Sequence, residues 1–281
     1  NFLGLAATIA VAFVFFGQIL LNFGGSDALT KISIYFLGRM RGGPAKAAVL
    51  GSSLVGSMTG APASNVFLTG SVTIPMMIKS GYSPRFAGAV EAVSSSGGQI
   101  MPPVMGIAAF IIAERLGIPY AEVALAALIP ALLYYIALFV QVDLEAGKLG
   151  LKGLSKEEIP KFREIMVEIL PVIPVILLLV LTIFVLRMSP GLAAVISGLL
   201  GIPFLILRKQ NRTDFFSRLK NTFIDTGRLL LDGASALAIA GIVVGVVSIS
   251  GLGFSLGYLL TVLGENNMFL LLVLAAIGSI I

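Results

Sequence analysis

The sequence predicts an all-α integral membrane protein, polytopic, with one re-entrant helical hairpin and one discontinuous helix. Three observations carry this. Of the 281 residues 57% are apolar and 12% charged, whereas soluble domains are about half apolar and about a quarter charged. The apolar residues gather in long runs, as membrane helices require. Two basic clusters bracket a segment too short to cross a bilayer twice, and a second segment is interrupted by glycines and prolines.

The runs, in order, begin with Phe2 to Leu21. It has no basic residues before it and no small-residue cleavage site, so it reads as a helix and not as a signal peptide. Ala121 to Val140 carries one charge, Glu122, at its edge. Leu170 to Leu186 and Gly191 to Leu207 are separated by Arg187 to Pro190 alone. The chain starts at Asn1 and stops within an apolar run at Ile281, so both ends are expected to be cuts in a longer polypeptide.

Loop charge orients these runs. Arg208, Lys209, Arg212, Arg218 and Lys220 oppose a single acid, Asp214, which marks their loop as cytoplasmic. Counting crossings backwards makes Gln141 to Glu168 cytoplasmic too, in agreement with Lys148, Lys152, Lys156, Lys161 and Arg163. Arg39, Arg41 and Lys46 precede Ala47 to Ile78, and Lys79 and Arg85 follow it. Both flanks are cytoplasmic, and two crossings need roughly 20 residues each. The segment 47–78 is therefore expected to dip in and return, with its tip at Thr59-Gly60-Ala61-Pro62-Ala63-Ser64-Asn65.

The next crossing, 85–116, contains Ser94-Ser95-Ser96-Gly97-Gly98-Gln99-Ile100-Met101-Pro102-Pro103. Its prolines remove N–H groups and its glycines weaken the helix. Backbone left unpaired at membrane depth must be buried in protein or line a cavity. Broken ends offer free carbonyls and N–H groups, which transporters use for ions and anionic substrates. The neutral oxygens of Thr59, Ser64 and Asn65 at the tip suit a monovalent hard cation such as Na⁺, since a divalent ion would call for carboxylates. Ser94, Ser95, Ser96 and Gly97 are placed as substrate or cavity-lining residues, together with the intramembrane carboxylate Glu91.

Several classes are set aside. With no Cys and no His, thiol and imidazole chemistry and the usual zinc sites are excluded. No catalytic residues, no enzyme activity and no organic cofactor are expected. The formal charge of +5 sits in loops and forms no aromatic-interleaved basic patch, so no nucleic acid is expected as a partner. Gly251 to Gly257 lacks dinucleotide spacing. Gly241 and Gly245 form a GxxxG packing step, and Asp232 is placed as a helix cap.

Gly38-Arg-Met-Arg-Gly-Gly-Pro-Ala-Lys46, Gly56-Ser-Met-Thr-Gly60, Asn65, Thr73-Ile-Pro-Met-Met77 and Gly81-Tyr82 resemble the large membrane (permease) subunit of TRAP transporters. Ala92-Val-Ser-Ser-Ser-Gly-Gly-Gln-Ile-Met-Pro-Pro-Val-Met-Gly106, with Ala109-Phe110 and Ala113-Glu114, is similar to the TAXI-type branch, in which the small and large membrane subunits are fused. The resemblance is dense from Gly38 to Val142 and returns at Asp232 to Gly253. It implies an elevator-type inverted-repeat transporter in a bacterial or archaeal cytoplasmic (inner) membrane. Na⁺ would drive uptake of an organic acid such as a C4- or C5-dicarboxylate, delivered by a TAXI-type periplasmic substrate-binding protein. It further implies a Na⁺ site formed by Thr59, Gly60, Ser64 and Asn65 with backbone carbonyls of Gly98, Met101 and Pro103. The tip departs from the family's more frequent Ser-Gly-Ser through Thr59-Gly60-Ala61-Pro62.

The expected organisation is a first repeat, 1–142, holding the hairpin 47–78, the broken helix 85–116 and the span 121–140. A cytoplasmic loop, 143–163, leads to the start of a second repeat, 164–281. The second hairpin and second Na⁺ site are expected beyond Ile281, and a fused small subunit before Asn1. The alternatives are a non-transporting membrane scaffold, in which the breaks serve packing alone, and a related Na⁺ carrier without a binding protein.

Overall fold

The computed structural model describes residues 9–263 and 267–278, and every element of regular structure among them is helical. Residues 2–8 of the first apolar run lie outside the described residues. The described residues divide into two compact units, one up to residue 230 and one from residue 231 onward.

In the larger unit, α1 (Val11–Asn22) and α2 (Gly25–Leu37) meet at a 65° bend. The bend sits at Gly24, whose φ of +89° suits glycine. The carbonyls exposed by this turn are capped by the basic loop read as cytoplasmic. Arg208 donates to the Gly24 carbonyl at 3.0 Å and Asn211 to the Phe23 carbonyl at 3.0 Å, and Arg218 caps the carbonyl of Asn22. Loop charge thus also satisfies a helix end.

The hairpin consists of α3 (Gly43–Thr59) and α4 (Pro62–Lys79). It is slightly longer than 47–78, because Gly42 and the proline at the head of each helix set the starts. The tip is much shorter than the stretch 59–65. Only Gly60 and Ala61 leave the helices, while Ser64 and Asn65 already lie in the first turn of α4. Pro62 fits there because a first-turn residue needs no N–H partner. Both hairpin feet meet the loop 143–163: Lys46 pairs with Asp143 at 2.6 Å and Lys79 with Glu158 at 3.2 Å. The structure therefore gathers at one end the charges that had been assigned to one side of the membrane.

The broken helix follows as α5 (Pro84–Gly97) and α6 (Ile107–Leu116), with residues 98–106 between them. Helix α7 (Tyr120–Lys148) is by itself long and apolar enough to span a membrane. It continues six residues into the expected loop 143–163. The connection then holds a short 3₁₀ turn, Lys156–Glu158.

Next come α8 (Phe162–Ile169) and α9 (Ile173–Val180), the latter ending in a π turn, Leu181–Val185. The bent pairs α1–α2 and 156–185 each pass the same length and composition test together. The unit continues with α10 (Pro190–Leu205), α11 (Lys209–Thr213) and the start of α12 (Phe215–Ile249). One apolar core packs Phe16, Ile19 and Leu20 of α1 with Val175, Leu179, Ala193 and Ala194. A second packs the hairpin residues Ala45, Val49 and Met77 with Tyr135, Leu138 and Val142 of α7.

The smaller unit holds the rest of α12, α13 (Leu252–Leu263) and α14 (Met268–Gly278). Asp232 was placed as a cap, but it falls inside the 35-residue α12. The apolar run simply continues a helix begun upstream at Phe215, so no start remains for Asp232 to cap. Its side chain lies outside the described residues.

Candidate functional site: the hairpin tip against the helix break

The sequence gives α3 an unusual surface: Gly43, Ala45, Ala47, Ala48, Gly51, Ser52, Ser53, Gly56 and Ser57 are all small and all buried. Small residues let backbones approach closely where apolar burial gives no drive. One such close approach is Gly56 to Gly98. A Cβ placed on Gly98 would lie 2.6 Å from the Gly56 Cα, and a Cβ on Gly56 would lie 2.7 Å from the Gly98 Cα. The break thus lies against the hairpin, backbone to backbone. Val104 N–H donates to the Ser57 carbonyl at 3.0 Å, and Gly60 packs on the Met105 carbonyl.

The break itself is ordered by its own chain. Turn bonds run from Gln99 to Ser96, Ile100 to Gly97 and Met101 to Gly98, and Gly106 N–H closes the loop on the Gln99 carbonyl at 2.7 Å. The Pro102–Pro103 peptide is cis, and Met105 adopts a φ of +57°. The single Tyr120 O–H is shared between the carbonyls of Pro103, at 2.8 Å, and Val104, at 2.6 Å. Tyr135 donates to Ser94 O at 2.9 Å and Tyr134 to Val93 O at 2.7 Å, which anchors the end of α5 on α7.

Of the candidate cation ligands, Asn65 stands out. It is fully buried, and its Nδ2 donates to Ser52 O at 2.8 Å. Its Oδ1 is buried with no hydrogen-bond partner. Such an acceptor costs about 1–3 kcal/mol unless something satisfies it. It lies in the same neighbourhood as the Gly56–Gly98 contact, since a Cβ on Gly56 would be 3.0 Å from Asn65 Nδ2.

Thr59 is nearly buried and its Oγ1 receives the Ala61 N–H at 3.4 Å. Ser64 and Gly60 are partly exposed at the tip, and Met101 and Pro103 are partly exposed in the break. The structure therefore brings tip and break together. The Pro103 carbonyl already accepts one hydrogen bond and has one lone pair left for another partner.

The serines serve differently. Ser94 and Ser96 bond back to Val90 O and Ala92 O at 2.6 and 2.8 Å. Gly97 lies against the rings of Tyr134 and Tyr135. Ser95 donates to Glu91 at 3.3 Å. Glu91 faces no open space: it is fully buried, and hydroxyls from both hairpin arms surround it. Ser52 donates to it at 2.7 Å, and Thr69 and Thr73 also donate to it.

Ser52, Thr69 and Thr73 were missed from the sequence. Their signal was present as a polar stripe, Asn65-Thr69-Thr73, at the four-residue spacing that aligns one face of a helix.

The chain as a whole is similar to known proteins. A family model described as the DctM component of tripartite ATP-independent periplasmic transporters matches residues 3–281. The C4-dicarboxylate TRAP transporter large permease protein of Vibrio cholerae is 25% identical over 164 residues, 58% of this chain and 35% of that protein. The ectoine TRAP transporter large permease protein of Halomonas elongata is 30% identical over 103 residues, 36% of this chain and 24% of that protein. The isethionate TRAP transporter permease protein of Oleidesulfovibrio alaskensis is 26% identical over 146 residues, 52% of this chain and 23% of that protein. This chain spans well under two thirds of the length of each of these relatives.

Proposed function

This chain belongs to the DctM family of TRAP transporter large membrane components, and from that premise we propose that it forms the Na⁺-binding half-site of a binding-protein-dependent organic-acid permease. The observation that carries the proposal is the buried, unpartnered Oδ1 of Asn65 beside the Gly56–Gly98 contact. In this reading Asn65 supplies a side-chain oxygen. Thr59, Gly60 and Ser64 supply the rest of the tip, and Gly98, Met101 and Pro103 supply carbonyls from the break. A set of neutral oxygens suits Na⁺, which is a co-transported substrate of the carrier.

The ion would tie the hairpin to the broken helix, so that the two move as one body in an elevator step. Cation occupancy and movement are coupled if the assembled body is stable only when filled. The cargo class, small organic anions of the C4- or C5-dicarboxylate kind, is supported by the C4-dicarboxylate for which the Vibrio relative is named. A TAXI-type periplasmic binding protein, a fused or separate small membrane subunit and a bacterial inner-membrane location complete the proposal.

The test is uptake by the complete permease in proteoliposomes with its binding protein. Accumulation should require Na⁺ outside and should fail with K⁺. Equal accumulation in both salts would remove the coupling claim.

A further inference from the structure

A groove runs between α3 and α7. It holds a cavity of about 220 Å³ whose lining includes Val49, Ser53 and Tyr135, all buried. Leu132, Ile136 and Val140 line it too, and these exposed residues form one stripe of α7 at four-residue spacing. Two hydroxyls lie in the lining, and both are turned to backbone. Ser53 donates to Leu50 O at 2.8 Å and Tyr135 to Ser94 O at 2.9 Å. The wall that remains is hydrocarbon, and an apolar cavity stays dry and takes an apolar guest.

One end of the groove is charged. Lys46, three residues before Val49 on α3, stands 5.2 Å from the ring centroid of Phe139, which is itself part of the lining. Lys46 pairs with Asp143 at 2.6 Å, and Arg41 pairs with the same carboxylate. Two cations therefore share one anion, and a positive charge is left over. The neighbouring Glu145 adds no excess, because Lys148 matches it at 3.7 Å. Arg41 has five N–H donors. Its Nε and one Nη each give one to Asp143. Among the described residues no hydrogen bond uses the other three, and the side chain is 54% exposed.

The length of the groove matches one lipid leaflet. Asp143 and Leu132 are eleven residues apart on α7, about 16 Å along the helix axis. Half of a bilayer's hydrocarbon core is about 15 Å. The groove thus runs from the charged rim to the middle of the membrane.

We propose that this groove is a site for an anionic phospholipid. One acyl chain lies along α3 and α7, and the phosphate takes the free donors of Arg41, whose planar fork suits phosphate oxygens. Lys46, behind it, offsets Asp143, so the phosphate meets a positive rim. Each rival occupant serves one end only. A helix of another subunit would cover Arg41 with hydrocarbon and strand its donors, and a free phosphate would leave the cavity empty. Basic sites on the cytoplasmic side of membrane proteins hold anionic head groups in this way.

The test is native mass spectrometry of the complete permease, delipidated in detergent. It is titrated with dioleoyl phosphatidylglycerol, or with dioleoylglycerol, which has the same chains and no phosphate. The wild type should retain one phosphatidylglycerol and hold it about tenfold more tightly than dioleoylglycerol. Arg41→Gln should lose that preference, and Lys46 stays paired with Asp143, so the fold is kept. Ile136→Trp fills the groove from an exposed position and should weaken both lipids. Leu133→Trp, exposed on α7 outside the lining, should leave both unchanged. Equal affinity of the wild type for the two lipids, or retention untouched by Ile136→Trp, would overturn the proposal. Retention of neither lipid would give the groove to another part of the protein and overturn it equally.

Discussion

Gly98→Ala perturbs the tip–break contact directly. The new methyl would stand 2.6 Å from Gly56 Cα and 3.1 Å from Gly56 C. Both neighbours are backbone, so no rotamer change relieves the clash, and α3 and the break must part. Overpacking a well-filled site costs about 1–3 kcal/mol, and a backbone-to-backbone clash belongs near the upper figure. If the cation is held across this contact, that cost falls on binding. At 1.4 kcal/mol per factor of ten, Na⁺ affinity should drop by roughly tenfold to a hundredfold.

The assay is thermal melting of the solubilised complete permease while Na⁺ replaces K⁺ at constant ionic strength. Gly88→Ala is the control. It lies in the same helix α5 with no heavy atom within 4 Å of the added methyl. It should stabilise by about 0.5–1 kcal/mol and leave the Na⁺ midpoint in place. A Gly98→Ala protein with the wild-type Na⁺ midpoint would refute the reasoning. Gly56→Ala should behave like Gly98→Ala, and the double variant should fall short of additivity, since both methyls displace the same contact.

Three further outcomes are expected. Asp143→Asn weakens the ion pair of Lys46, whose side chain is 5% exposed; melting should drop and recover in part in the Lys46→Met/Asp143→Asn double variant. Arg208→Ala removes the donors to Phe23 O and Gly24 O and should cost about 1.5–3 kcal/mol, whereas Lys209→Ala at the exposed neighbouring position should change melting by less than about 0.5 kcal/mol.

The Ser155 backbone N–H, with Lys79 beside it, holds the Glu158 carboxyl below its usual range. Its stabilisation is therefore complete above the ordinary carboxylate range and is lost as the pH falls through the depressed folded value. Acid melting curves of wild type and Glu158→Gln should differ at neutral pH and converge in acid.

The hairpin was legible from charge alone, because Lys46 and Lys79 cannot be left in hydrocarbon and each fixes an end. The break was legible from composition, since Gly97-Gly98 and Pro102-Pro103 cannot continue a helix at low cost. Its two bounding helices fall within one residue of 85–116. What stayed hidden depends on contacts distant in sequence. The bend at Phe23–Gly24 lies at the end of an unbroken apolar run, and its caps come from residues 208–218. The seven-residue polar tip shrank to Gly60 and Ala61, because Pro62 favours a helix start and Ser64 and Asn65 are tolerated in a first turn. Glu91 stood out in the sequence as an intramembrane acid. Its partners Ser52, Thr69 and Thr73 lie 18–39 residues away, and only the packing of three helices brings them to one point.

The central claim is that a Na⁺ ion closes the hairpin tip onto the helix break. This chain contains no cysteine, so a single Ala63→Cys substitution places one thiol at the exposed start of α4 without touching a proposed ligand. Its rate of modification by a small polar thiol reagent in the complete permease should fall when Na⁺ replaces K⁺, and should stop responding to Na⁺ once Gly98→Ala is added. A rate that is the same in both salts would contradict the account.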